Sequence, residues 1–143
     1  MAKVLVTGAT GFVGKRLIYT LLEQGHEVHA LCRIEGTQVF SEPKTNLHYI
    51  WGDIRDPNAL QKFPKDIDAA YYLVHSMSEI MSELAKTEAD VAENFIKGLK
   101  NTSCKQIIYL GGIINDEQQL SPHLASRLLV EKVLQSSSIP TTI

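Results

Sequence analysis

Three glycines constrain the fold of this chain more than any other feature. Gly8, Gly11 and Gly14 follow an apolar run at residues 4–6 and open a helical pattern. Where a strand is joined to a helix by glycines, the backbone N–H groups at the start of the helix are exposed. A pyrophosphate can then approach them more closely than it could if these residues carried a Cβ. Gly8 permits the turn, Gly11 the approach of the ligand, and Gly14 close helix packing. Thr10 adds a hydroxyl donor. A tight turn without a ligand is the alternative interpretation.

Short apolar runs alternate with helical patterns along the chain, which predicts a parallel sheet covered by helices. The runs are continuous rather than alternating in polarity, as expected of strands buried on both faces. They occupy residues 4–6, 28–31, 47–51, 69–74 and 107–110. With right-handed crossovers, the expected fold is α/β: a doubly wound Rossmann-type parallel sheet of order 3-2-1-4-5 with helices on both faces.

The helices are predicted from apolar stripes at helical spacing. The first follows the glycines and ends near Gly25, the second covers residues 80–100, and the third covers residues 122–134. The connection at 34–46 contains turn-forming residues and is expected to be irregular. Residues 139–143 begin a sixth strand at which the sequence is cut. We therefore expect residues 1–143 to be one NAD(P)-binding domain, the amino-terminal part of a longer protein.

Composition excludes several classes of function. The 143 residues carry a net charge of -2 without clustered Lys and Arg, so nucleic acid is not an expected ligand. No apolar run is long enough for a secretory signal or for a membrane span, which predicts a cytoplasmic protein. Cys32 and Cys104 have no metal-site or disulfide-framework spacing and are expected to be buried thiols, so no metal site is predicted.

Position 33 bears on which dinucleotide is bound. In dinucleotide-binding folds an acidic residue about twenty positions after the turn binds the ribose 2'-hydroxyl. This chain has Cys32 and Arg33 there. A guanidinium suits a 2'-phosphate, which favours NADP as the cofactor. Glu35 is close enough to leave NAD as the alternative, and a solvated loop charge is the other interpretation of Arg33.

Three segments together resemble the short-chain dehydrogenase/reductase superfamily in its extended and atypical branches. They are residues 7–14 (T-G-A-T-G-F-V-G), Arg33, and residues 52–54 (G-D-I). The resemblance covers nearly the whole chain and implies that Asp53 contacts the adenine while Ile54 walls its pocket. A turn carboxylate before a helix start is the alternative for Asp53.

More narrowly, residues 72–77, 109–112 and 120–123 look like an uncharacterised atypical branch of NmrA-like and NAD-dependent epimerase/dehydratase-like proteins. Those relatives are NAD(P)-binding and usually continue well beyond this length.

The catalytic residues of the superfamily are replaced here. Its enzymes place a serine after the fifth strand and a Tyr-x-x-x-Lys pair on the next helix. Gly111 and Gly112 occupy the position of the serine. His123 occupies the position of the tyrosine, and Arg127 occupies that of the lysine. His123 is the candidate catalytic residue because its side chain exchanges a proton near neutral pH; a structural or binding role at the helix start is the alternative. Arg127 can hold a ribose or a phosphate but cannot act as a base.

Further cofactor contacts are expected past the fourth strand, because open parallel sheets bind ligands at the carboxyl ends of their strands. Val74, His75 and Ser76 lie there, whereas Tyr71, Tyr72 and Tyr109 are expected to pack within the sheet. The residues predicted to bind the cofactor are Gly8, Thr10, Gly11, Phe12, Val13, Gly14, Arg33, Asp53, Ile54, Val74, His75, Ser76 and Arg127.

Two functions fit these observations. The first is an NAD(P)H-dependent oxidoreductase with an unknown small-molecule substrate, in which the cofactor carries the hydride. The second is a non-catalytic dinucleotide-binding redox sensor or accessory subunit that docks on a protein partner, which the missing Ser, Tyr and Lys favour. Sugar epimerase or dehydratase chemistry ranks below both because it needs the tyrosine base.

Overall fold

The computed structural model describes residues 1–74, 81–111 and 121–143, with the backbone alone for residues 81–86. His75, Ser76 and Gly112, which belong to the predicted site, lie outside the described residues. The elements in chain order are β1 (Lys3–Val6), α1 (Phe12–Glu23), β2 (Glu27–Cys32), β3 (Leu47–Trp51), α2 (Pro57–Leu60), β4 (Ala69–Tyr72), α3 (Met81–Leu99), β5 (Gln106–Tyr109), α4 (Pro122–Gln135) and β6 (Thr141–Thr142). Within this described part of the chain, no helix has the length and apolarity to cross a bilayer.

The strands of the described chain form one parallel sheet with the order β3-β2-β1-β4-β5-β6. This confirms the predicted doubly wound Rossmann-type fold. The sixth strand pairs with β5 through Ile107 with Thr141 and Ile108 with Thr142. Parallel neighbours require crossover connections, which the helices and the long loop after β2 supply.

Helices cover both faces of the sheet. Successive strand residues point to opposite sides, so each strand contributes side chains to both faces. In β1, Val4 and Val6 pack against the α1 face, together with Ile18 of α1. Leu5 between them packs on the other face, in the cluster that contains Phe95 of α3 and Leu134 of α4. The continuous apolar runs of the sequence therefore reflect burial on both sides, as predicted.

The strand ends differ slightly from the predictions. The fourth strand was expected to reach Val74 but ends at Tyr72, because the backbone N–H of Leu73 donates to the side chain of Thr7 at 3.2 Å. Tyr72 and Tyr109 are fully buried, which confirms that they pack within the sheet.

The connection between β2 and β3 is irregular, as predicted. Two aromatic side chains of β3 hold it in place. The Trp51 Nε1–H donates to the Thr37 carbonyl at 3.0 Å, and the Tyr49 hydroxyl accepts from the Val39 N–H at 3.0 Å. The loop after β2 is therefore fixed over the edge of the sheet.

The strand order reverses between β1 and β4, which creates a crevice at the carboxyl ends of these two strands. Thr7 joins the two strand ends beneath this crevice. Its N–H and its hydroxyl both donate to the carbonyl of Tyr71, at 3.1 and 3.0 Å. The glycine turn begins at the next residue and so lies directly at the crevice.

Candidate functional site

The glycine turn is shaped by contacts that exclude side chains. Gly8 has φ +66°, a left-handed conformation, and a Cβ there would lie 2.6 Å from the carbonyl oxygen of Leu73. A Cβ on Gly14 would overlap the carbonyl oxygen of Gly8 and would lie 3.1 Å from the Cα of Ala9. Both neighbours are backbone, which cannot move aside as a flexible side chain can. The first and third glycines are therefore required for the turn and for helix packing, the roles that the sequence predicts.

The amino terminus of α1 is open to an anion. Its N-cap is Gly11, which offers no side-chain hydrogen bond, and no acidic residue occupies its first turn. By contrast, Ser121 caps α4 by accepting from the Leu124 N–H at 3.2 Å. The first N–H groups of a helix have no intrahelical partner and carry a partial positive charge. The turn therefore fits the pyrophosphate of a dinucleotide.

A cleft of about 470 Å³ opens beside the turn, at the carboxyl ends of β1 to β4. Its volume lies within the range of about 300–1,000 Å³ that is usual for small-ligand sites. The lining residues are Gly8, Ala9, Thr10, Gly11, Leu31, Arg33, Ile34, Thr37, Gly52, Asp53, Ile54, Arg55, Leu73, Val74, Thr87, Glu88 and Val91. The cleft thus collects residues from four strand ends and from α3.

Arg33 and Asp53 share one wall of the cleft. The N–H of Gly52 donates to the carbonyl of Cys32 at 3.0 Å, which continues the pairing of β2 with β3 and aligns the segments that follow them. Asp53 accepts from the Arg55 guanidinium at 2.6, 3.1 and 3.1 Å. These bonds hold the pKa of the Asp53 carboxyl below its ordinary value, and the charge of Arg33 lowers it further. Arg33 itself forms no salt bridge within the described part of the chain.

The other residues predicted to bind the cofactor separate into two groups. Thr10, Ile54 and Val74 line the cleft with the glycines, and Ile54 is buried. Phe12 and Val13 do not line it: their side chains are exposed, and the Arg16 guanidinium lies 3.7 Å from the centre of the Phe12 ring. Any contact of these two residues with a ligand at the turn would involve their backbone.

His123 and Arg127 lie on α4, outside the lining of the cleft. His123 is exposed in the first turn of the helix, and Arg127 is half-buried. Tyr109, a buried residue at the end of β5, is a titratable group on which the charge of Arg127 acts. Burial raises the pKa of Tyr109 to about 12, and the charge of Arg127 partly opposes that rise. The charge of Arg127 therefore acts on the end of β5, and Arg127 does not line the cleft.

Several lining residues were not singled out from the sequence. Arg55 follows Asp53 by two positions, a spacing that allows a turn ion pair but does not identify one. Thr87, Glu88 and Val91 form the wall contributed by α3, and Glu88 is buried although it is acidic. A carboxylate on the inner face of an amphipathic helix was the available signal, since such groups are rarely buried.

The parallel sheet, its reversal and the glycine turn define a Rossmann-type dinucleotide-binding class of protein. A model of the NAD dependent epimerase/dehydratase family matches residues 4–137, and the chain belongs to this family. The match confirms the resemblance to short-chain dehydrogenase/reductase proteins. Members of the family bind a nicotinamide dinucleotide.

Individual relatives agree with this assignment. The chain is 31% identical over 111 residues to a 3-beta-hydroxysteroid dehydrogenase of Mycolicibacterium neoaurum, which covers 78% of this chain and 29% of that protein. Among solved structures, WbmG of Bordetella bronchiseptica, in complex with NAD and UDP, has the same fold at a TM-score of 0.78 and 20% identity, over 98% of this chain and 51% of that one.

A short-chain dehydrogenase/reductase superfamily protein of Agrobacterium tumefaciens with bound NAD has a TM-score of 0.75 at 18% identity, over 99% of this chain and 48% of that one. The chain thus spans about half the length of these solved neighbours and less than a third of the dehydrogenase.

Proposed function

We propose that this protein binds NADP(H) with the pyrophosphate at the glycine turn and the adenosine half between the loops after β2 and β3. The observation that carries the proposal is the turn itself: a Cβ at Gly8 or Gly14 would overlap backbone atoms, and the helix that follows has no capping side chain. A strand-to-helix turn without a ligand needs neither an uncapped helix start nor a cleft beside it. In this arrangement Asp53 and Ile54 contact the adenine.

The preference for NADP over NAD is assigned to Arg33. Two guanidinium groups line the cleft, but Asp53 already accepts three hydrogen bonds from Arg55. Arg33 is exposed at the end of β2 and forms no salt bridge with a described residue. A phosphate on the ribose 2'-oxygen would give Arg33 a bidentate partner of opposite charge.

Titration of the purified protein with NADPH and with NADH tests both statements. We expect binding of both, with NADPH tighter by about tenfold, the change that about 1.4 kcal/mol of added phosphate binding produces. Arg33→Gln should abolish the difference and leave NADH binding unchanged. Arg16→Gln is the matched control, because Arg16 stacks on Phe12 outside the cleft.

Equal affinities of the wild-type protein for the two dinucleotides would contradict the role proposed for Arg33. Absence of any binding would remove the proposal as a whole.

We further propose that the protein is an NAD(P)H-dependent oxidoreductase of the atypical NmrA-like type. The bound dinucleotide would supply hydride transfer. His123, exposed at the start of α4, would exchange a proton with a small-molecule substrate, and Arg127, one helical turn later, would hold a ribose or phosphate oxygen. Loss of turnover with retained NADPH binding in His123→Ala would support this role. Unchanged turnover would contradict it.

A non-catalytic sensor or accessory subunit is the second candidate, and the absence of the Tyr-x-x-x-Lys pair from α4 favours it. A sensor must bind a protein partner differently in its two cofactor states. Recovery of partners in the presence of NADPH and of NADP+ separates the candidates. A partner that depends on the redox state supports sensing, whereas an identical set of partners together with carbonyl-dependent oxidation of NADPH supports the enzyme.

A further inference from the structure

A second cluster of polar side chains lies at the amino ends of β2 and β3, away from the cleft. His29 and His48 are register partners on these neighbouring parallel strands, and Glu27 precedes His29 by two residues. Residues two apart in a strand share a face of the sheet. The two imidazole rings stack with their centroids 4.8 Å apart and an angle of 24° between their planes.

The nitrogen and oxygen atoms of this cluster converge on one point. The Nε2 atoms of His29 and His48 lie 3.2 and 3.3 Å from the same oxygen, Oε1 of Glu27. Each of the three residues offers one potential ligand atom, and these atoms lie within 4.8 Å of one another. Around a tetrahedral zinc ion, with bonds of about 2.0–2.2 Å, ligand atoms are separated by about 3.3–3.6 Å. The two separations from Oε1 of Glu27, 3.2 and 3.3 Å, lie close to this range, and the side chain of His48 is 52% exposed and has room to move.

We propose that Glu27, His29 and His48 form a binding site for a divalent transition-metal ion, for which zinc has the fitting chemistry. Two imidazoles and one carboxylate favour zinc over magnesium or calcium, which prefer oxygen ligands throughout. Water would complete the coordination. Among the described strands β3 is at the edge and pairs with β2 alone, so the ion would tie this edge to the rest of the sheet.

Lys3 is the group that opposes the ion. Its Nζ lies 3.7 Å from Oε1 of Glu27, but it lies closer to Asp66, at 2.5 Å from Oδ2. The ammonium therefore has a stronger partner than Glu27, and its charge weakens the site without filling it. This contact allows a test in which a substitution improves binding. Removal of the Lys3 charge should strengthen metal binding, whereas damage to the fold would weaken it.

The sequence spacing alone does not reveal this site. Metal motifs are recognised from cysteines and histidines at short fixed intervals. Here nineteen positions separate His29 from His48. Only the pairing register of β2 and β3 makes the two residues neighbours.

Titration of the chelator-treated protein with Zn²⁺ against a competing indicator dye, and with Co²⁺ by visible absorption, tests the proposal. We expect one ion per chain and Co²⁺ bands of the intensity typical of four- or five-coordination. His48→Gln and Glu27→Gln should each weaken Zn²⁺ binding by at least about tenfold, since even the loss of a group that only supports a metal ligand has an effect of that size. Lys3→Met should tighten it.

His26→Gln is the matched control, since His26 accepts from the Ala2 N–H outside the cluster and should bind Zn²⁺ as the wild type does. Circular dichroism of each metal-free variant verifies the fold. The proposal is overturned if the wild type takes up no stoichiometric Zn²⁺, or if His48→Gln and Glu27→Gln bind it with wild-type affinity. NADPH binding is measured separately and does not bear on this outcome.

Discussion

The buried hydroxyl of Thr7 accepts a hydrogen bond from the backbone N–H of Leu73 at 3.2 Å. In Thr7→Val this N–H loses its acceptor, whereas the Tyr71 carbonyl keeps the N–H of residue 7. An unpaired buried donor costs about 1–3 kcal/mol, so the free energy of unfolding measured in urea should fall by about that amount. Amide exchange of Leu73 should accelerate in Thr7→Val and stay slow in Thr7→Ser. Unchanged exchange in Thr7→Val would show that the side chain does not hold the strand end.

Gly14→Ala should abolish dinucleotide binding, because the new Cβ would overlap the Gly8 carbonyl and displace the turn from the helix. The accompanying loss of stability should be about 1–3 kcal/mol, as for other overpacked sites. Gly25→Ala is the control. Gly25 has φ +84° with open space around it, so its substitution should destabilise by about 1–2 kcal/mol and leave binding intact. Wild-type affinity in Gly14→Ala would contradict this account of the turn.

Arg55→Met should return the pKa of Asp53 to its ordinary range, because hydrogen bonds from Arg55 are the largest cause of its lowering. A carboxyl with a lowered folded-state pKa stabilises the fold above its unfolded pKa of about 3.9, and this stabilisation is lost as the pH falls through the folded value. In Arg55→Met the folded and unfolded pKa values of Asp53 become nearly equal, so this pH-dependent contribution to stability should largely disappear. Carboxyl ¹³C NMR titration measures the pKa of Asp53 in the wild type and in Arg55→Met.

Lys62→Met serves as the comparison for Arg55→Met, since Lys62 donates to the Trp51 carbonyl and does not act on Asp53. An Asp53 titration identical in wild type and Arg55→Met would refute the pairing in solution.

Tyr109→Phe should protect the fold at alkaline pH. Burial raises the pKa of Tyr109 to about 12, so its phenol stays protonated in the folded state while the unfolded chain releases the proton from about pH 10. Stability is therefore fully present below about pH 10 and falls as the pH rises toward 12. The free energy of unfolding, measured in urea at pH 8 to 11.5, should decline less in Tyr109→Phe. Tyr19→Phe, at an exposed position, should decline as the wild type does. The same decline in both variants would exclude Tyr109 as a cause.

The sequence predicts the sheet well because burial on both faces leaves continuous apolar runs. The turn is predictable because contacts with backbone atoms require glycine at positions 8 and 14. Val74 was expected in the fourth strand because apolarity extends to it. The strand ends earlier because Leu73 donates to a side chain from β1, a contact that hydropathy does not encode.

The finer features of the site depend on side-chain positions. Asp53 was expected to face a ligand, but its three bonds to Arg55 depend on a side-chain conformation within a turn. Glu88 was not expected at the cleft, because the packing of α3 on the sheet determines which side of the helix becomes a wall. The residues around His75 and Gly112 stay predictions.

The glycine turn is shaped by backbone atoms, whereas the adjoining wall of the cleft carries charged side chains. The shape of the turn and the charge of the wall can therefore change independently. The atoms that exclude side chains at Gly8 and Gly14 are backbone atoms of Leu73 and Gly8. The charges beside them belong to Arg33, Asp53 and Arg55, all on loops after strands. In the proposed binding mode, substitutions in these loops would redirect the choice between dinucleotides while the glycine turn stays unchanged, which would suit the protein to engineered changes of cofactor preference.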